Sequence, residues 1–238
     1  MSKVRTILLA AVTVVAFSAI AVSSATASPE FIKTAGVYPI KFTGAPTNAV
    51  TLPPTLESSL GTVKCTNDSS SGEITKDGME STKIAVTFTG CTLGTSNCTT
   101  SGQAAGTIVA NPLMGLLGTA SGAVAKNVTG LLLALTSNTL EPGPLTSTGA
   151  FASFTCGIVP VTVTGKGVIG RITPLGAKSK TFKLTFSTEA GPKQELNELT
   201  LLTGTKETSV SLIVGGKEAG QMSEDTLTLL AGAEGEIK

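Results

Sequence analysis

Phe182-Lys183-Leu184-Thr185-Phe186 places three large apolar side chains on one side of an extended chain and two polar ones on the other. Strict alternation with period two marks a strand buried on one face only. Ile84-Ala85-Val86-Thr87-Phe88 repeats the pattern, and Val159-Pro160-Val161-Thr162-Val163-Thr164 repeats it with three valines. Outward from these, further strands are expected over residues 37–42, 106–110, 209–214, 226–230 and 234–238. Residues 128–135, apolar apart from Thr129 and Gly130, read as a strand buried on both faces. Turn formers at Asp77-Gly78, Gly165-Lys166-Gly167 and Gly215-Gly216 separate the runs. The expected fold is all-β: an antiparallel β-sandwich, with a β-barrel as the alternative, two disulfides and little helix.

Helix signals are few. Pro192 and the residues after it align Leu196, Leu199 and Leu202 on one helical stripe, although the same letters permit a strand. Residues 111–117 allow one helical turn. Segment 43–62 carries Pro46, Pro53 and Pro54 and reads as a long connection.

The N-terminus has the pattern of an export leader. Lys3 and Arg5 precede an apolar stretch from Ile7 to Val22, and Ala25 and Ala27 follow in the spacing that signal peptidase accepts. Cleavage near Ala27 would leave residues 28–238 as a single secreted, β-rich domain. Within it, 28–60 reads as an extended N-terminal segment and 190–238 as a looser C-terminal hairpin extension. Without Lys3 and Arg5, the 17 basic residues fall to 15 against 16 acidic ones. A near-neutral chain whose one remaining arginine is Arg171 has no electrostatic footprint for nucleic acid. No second apolar run of about 18 residues occurs, so no membrane span is expected in the mature chain. A cell-surface or extracellular partner is left open.

Cys65, Cys91, Cys98 and Cys156 all fall in the mature chain, and an even count in an exported protein reads as two disulfides. Three pairings are possible. Val63 with Cys65, and Phe154 with Cys156, share the inward phase of their strands, which favours a Cys65–Cys156 bridge. Cys91 and Cys98 flank a six-residue loop and would close locally. The absence of histidine and of any Cys-x-x-Cys spacing argues against a metal site.

Three stretches resemble a family of secreted proteins from actinobacteria to which no activity is assigned. They are Val86-Thr87-Phe88-Thr89-Gly90-Cys91 with Cys98-Thr99-Thr100-Ser101-Gly102 and Gly106-Thr107-Ile108, then Phe151-Ala152-Ser153-Phe154-Thr155-Cys156-Gly157, and Gly167-Val168-Ile169-Gly170-Arg171-Ile172-Thr173-Pro174. The resemblance implies export, disulfides and a β-rich fold, and it transfers no catalytic, cofactor or metal residue.

Much catalytic chemistry is missing. Without histidine there is no imidazole base for a Ser-His-Asp triad. Gly165-x-Gly167-x-x-Gly170 has the dinucleotide-binding spacing, yet Arg171-Ile172-Thr173-Pro174 follows where a helix should begin; a hairpin turn is the expected reading, and no cofactor is expected. Paired acids for glycoside hydrolysis would come from Glu73, Asp77 and Glu80, or from Glu195 with Glu198. Asn67-Asp68-Ser69-Ser70-Ser71-Gly72-Glu73 clusters oxygens for loose calcium binding, and an ordinary polar hairpin loop is the preferred reading. The leading expectation is a non-catalytic secreted or cell-surface domain with a structural or binding role. A carboxylate-based glycan-active enzyme and a carrier of a small apolar ligand are the alternatives.

Overall fold

The computed structural model describes residues 28–78, 80–137, 145–146 and 149–238. The expected leader, residues 1–27, lies outside the described residues. Among the described residues the chain forms twenty strands and no helix. Along the first half these are β1 (Phe31–Ala35), β2 (Ile40–Pro46), β3 (Thr55–Ser58), β4 (Gly61–Lys64), β5 (Asn67–Ile74), β6 (Glu80–Thr89), β7 (Thr92–Leu93), β8 (Ser96–Thr99), β9 (Ile108–Val109) and β10 (Leu113–Gly122). The second half holds β11 (Val128–Leu135), β12 (Ala152–Cys156), β13 (Val159–Gly165), β14 (Val168–Thr173), β15 (Thr181–Phe186), β16 (Leu196–Leu201), β17 (Lys206–Glu207), β18 (Leu212–Val214), β19 (Lys217–Leu229) and β20 (Glu234–Ile237). The described residues are therefore all-β, and no helix among them is long and apolar enough to cross a membrane.

The sheet closes on itself, so the barrel alternative describes the fold better than the sandwich. Eight strands pair antiparallel in the circuit β2, β5, β6, β10, β11, β14, β15, β19 and back to β2. A second circuit of antiparallel pairs runs β3, β4, β7, β8, β12, β13, β18, β19 and back to β3. Closure leaves neither circuit an open edge. Strand β19 belongs to both: its first six residues pair with β18 and β3, and the rest pairs with β15 and β2. Segment 190–238, expected as a looser extension, thus holds the strand that joins the two circuits. Buried side chains from both, such as Val63 and Phe154 from one and Leu184 and Phe186 from the other, form one apolar interior.

A smaller core covers the outer face of β10, β11 and β14, where Leu116, Leu132 and Ile169 pack with Leu199 and Val210. Strands β10 and β11 are consequently buried on both faces, as read from residues 128–135. Residues 111–117, allowed as a helical turn, lead instead into β10. The helical stripe at Leu196 and Leu199 belongs to β16, and its spacing has a simple cause. Against β10, Ser121 faces Glu198 while Gly122 faces Leu196, so Asn197 is an extra residue that shifts the pleat by one. The bulge brings both leucines into the outer core. Segment 43–62 ends β2 and contains β3, so only part of it is connection.

The three glycines of the apparent dinucleotide motif lie where the chain leaves β13 in the second circuit and enters β14 in the barrel. The expected hairpin is absent, since β13 and β14 do not pair. Gly167 has φ +152°, and a Cβ there would overlap the Leu133 carbonyl. Close approach of two backbones explains this glycine without a nucleotide.

The disulfides are Cys65–Cys91 and Cys98–Cys156, and all four residues are buried. This corrects the expected Cys65–Cys156 and Cys91–Cys98 pairs. Cys65 and Cys156 do lie on the inward phase of their strands, but phase does not reveal which strands are neighbours. Strand β8 lies against β12 with Cys98 directly opposite Cys156, their Cα atoms 4.0 Å apart. Strand β4 ends beside the β6–β7 junction, which brings Cys65 to Cys91 with Cα atoms 3.9 Å apart. Cys91 and Cys98 meet only through the backbone, the Cys98 N–H donating to the Cys91 carbonyl at 2.9 Å.

Candidate functional site

The barrel interior is apolar except along one strip. Alternation in β19 turns Ala219, Gln221, Ser223, Asp225, Leu227 and Leu229 toward the inside. In β5 the same rule turns Asp68, Ser70 and Gly72 inward, while Asn67, Ser69 and Ser71 are exposed. Segment 67–73 is therefore a barrel strand, neither a calcium loop nor a hairpin loop. Its small inner residues have a packing role, because a Cβ on Gly72 would overlap the ring of Phe42.

These two faces bring Asp68 and Asp225 together inside the barrel. Asp68 is 5% exposed, and its carboxyl is pushed up to about 8, first by burial, then by the negative charge of Asp225 and the hydrogen bond to it. Burial likewise raises Asp225, while hydrogen bonds from Asp68 and Ser223 oppose the rise. Burial and mutual repulsion thus favour a proton held within the pair. The Ser223 hydroxyl donates to Asp225 Oδ2 at 3.1 Å, and the Gln221 amide reaches the Ser223 hydroxyl at 3.4 Å. Buried Gln194 fixes the strand behind them: it accepts from the Gln221 N–H at 3.0 Å and donates to the carbonyls of Ser187 and Gln221. Oδ1 of Asp225 is buried without a hydrogen-bond partner. Neither aspartate makes an ion pair among the described residues.

Space adjoins the pair. A cavity of about 40 Å³ is lined by Asp68, Ser70 and Asp225 among apolar neighbours. A cavity of about 100 Å³ lies where the two circuits meet, walled by side chains such as Val63, Phe154, Val163 and Leu212. Val86, Phe88, Leu133 and Gln221 border both, so the two lie side by side. The polar side chains on the larger one are Thr55 and Gln221, and the hydroxyl of Thr55 is buried without a partner. A further cavity of about 60 Å³ lies between Phe31, Phe42, Phe182 and Ile237 and is almost wholly apolar.

The acids expected for glycan chemistry do not converge. Glu73 is bound by Lys83 at 2.9 Å, and that contact holds its carboxyl below the usual range. Asp77 accepts from the Lys33 N–H at 2.6 Å and from the Tyr38 hydroxyl, which lowers it as well. Glu195 is held by Arg171 at 3.1 Å, and Glu198 by Lys206 at 3.0 Å. Glu73 and Asp77, held below the usual range, are poor general acids. The acid pair that does exist was missed in the sequence, because Asp68 and Asp225 stand 157 positions apart with no motif linking them. The one available signal was Asp225 on the same phase as Leu227 and Leu229. Among the described residues no group of three or more acidic or cysteine side chains is placed to hold a metal. No known protein family, curated protein or solved structure matches the chain.

Proposed function

We propose that this is an exported, disulfide-locked barrel whose interior binds a small apolar molecule, acting as a binding protein rather than an enzyme. The observation that carries the reading is the cavity of about 100 Å³ at the meeting of the two circuits, apolar but for Thr55 and Gln221. Few polar groups in an apolar hollow is the usual make-up of a small-molecule site. An apolar cavity of roughly 150 Å³ is known to admit benzene; the cavity of about 100 Å³ approaches that size only together with the adjoining one of about 40 Å³, which limits the ligand class to one compact ring or a short branched chain. Export is supported by the leader-like first 27 residues and by two buried disulfides. The resemblance to the secreted actinobacterial family supports the same setting. The glycan-active reading is weaker, since four of its five acids are engaged by donors on the surface.

Toluene tests the proposal directly. It should raise the melting temperature of the protein and shift methyl resonances of Val63 and Leu212. Ala152→Phe, which fills the hollow from β12, should abolish both effects. No shift at saturating toluene in the unaltered protein rejects the reading.

A further inference from the structure

We propose that the barrel takes an amphiphile rather than a plain hydrocarbon, with its apolar body between the two circuits and a basic amine on the Asp68–Asp225 pair. The inference deepens the binding role proposed above and rests on it. Three observations point to it. The two cavities lie side by side, with Val86, Phe88, Leu133 and Gln221 on the wall of each, and the proposed ligand spans both. Their ends differ in chemistry: one is walled by aliphatic and aromatic carbon, and the other holds two carboxyls. The larger cavity also has on its wall a buried hydroxyl without a partner, that of Thr55, a residue only 8% exposed.

Charge decides what kind of head fits. Two acids and no cation leave the site able to accept hydrogen bonds and positive charge. The Ser223 hydroxyl and one N–H of the Gln221 amide already donate along β19. An ammonium group supplies three donors and one positive charge. It would allow both carboxyls to ionise, with the proton held by the pair released to solvent. A neutral alcohol offers one donor and leaves the proton in place. A carboxylate or phosphate would be repelled. A divalent cation needs six or more oxygen ligands, and this cavity is mostly lined by carbon.

Toluene, benzyl alcohol and benzylamine share one ring and differ only in the head, which makes them suitable probes. Binding to the unaltered protein and to the Asp68→Asn/Asp225→Asn variant is measured at pH 7 by calorimetry, with Asp225→Asn alone as a second variant should the double one fail to fold. The expected result is benzylamine at least tenfold tighter than toluene, with benzyl alcohol between them. The amide variant should erase that preference while toluene affinity stays within about twofold, and benzylamine binding should release protons in buffers of different ionisation enthalpy. Toluene binding without an amine preference, or a preference that survives the amide variant, overturns this inference and leaves the apolar-carrier reading standing. Stabilisation by calcium chloride alone that exceeds the benzylamine effect overturns it as well. If none of the three aromatic probes binds, both readings fall.

Discussion

A carboxyl inside an apolar barrel takes the protonation state its neighbours allow, and Asp68 has only another acid within reach. Its folded value lies near 8, well above that of an exposed aspartate, so the folded state holds a proton that the unfolded chain releases. The sign follows from linkage: stability is full below the unfolded value of 3.8 and is lost as pH rises through about 8. Glu73 and Asp77 act in the opposite sense, since their values are lowered, and their contributions disappear only in acid below the ordinary carboxylate range. Between pH 5 and 8 the slope is therefore set by the buried pair. The protein should lose on the order of 1 kcal/mol of stability per pH unit across that window. Asp68→Asn, which keeps shape and removes ionisation, should flatten the profile. Urea unfolding at pH 5, 6.5 and 8 checks both, and an unchanged slope in the variant would show that the pair does not govern it.

Strands differ in how openly they declare themselves. Strand β15 has one buried and one wet face, so Phe182, Leu184 and Phe186 alternate with Lys183 and Thr185 and its place could be read at once. Strands β10 and β11 carry apolar residues on both sides, one toward the barrel and one toward the outer core, so periodicity locates β11 but hides β10 behind a weak helical reading. Strand β16 is obscured by its bulge at Asn197, and β5 by a run of serines followed by Gly72, which lies against the ring of Phe42. The acid pair and the disulfide partners depend on which strands become neighbours, which one-dimensional periodicity does not carry. The two-faced burial has a measurable consequence. Leu116→Ala and Leu117→Ala, adjacent residues on opposite faces of β10, should each cost about 3 kcal/mol. Lys183→Ser on β15 removes only a surface ion pair with Glu224 at 2.9 Å and should cost about 0.5 kcal/mol or less. Denaturant midpoints compare the three; a mild effect of either leucine would mean that one face of β10 is not part of a core.

At the scale of the molecule, the two circuits are unequally supported. The barrel is built from strands of six to thirteen residues, whereas β3, β4, β7, β8 and β18 in the second circuit have two to four. Both disulfides lie in that second circuit, and each encloses a piece of the barrel. Cys65–Cys91 closes over β5 and β6 with a sequence separation of 26, and Cys98–Cys156 closes over β9, β10 and β11 with a separation of 58. Chain entropy assigns such loops about 3.5 and about 4 kcal/mol respectively. The crosslinks therefore sit where short strands make few ladder hydrogen bonds. Replacing Cys98 and Cys156 together by alanine should lower stability by about 4 kcal/mol and loosen the second circuit before the barrel. Amide exchange would report this as early loss of protection at Phe154 and Val161, with Leu132 and Leu184 still protected. Toluene affinity should fall in the same variant, because the cavity draws one wall from each circuit. Uniform exchange throughout would show instead that the circuits unfold as one unit and that the sulfurs brace the whole interior equally.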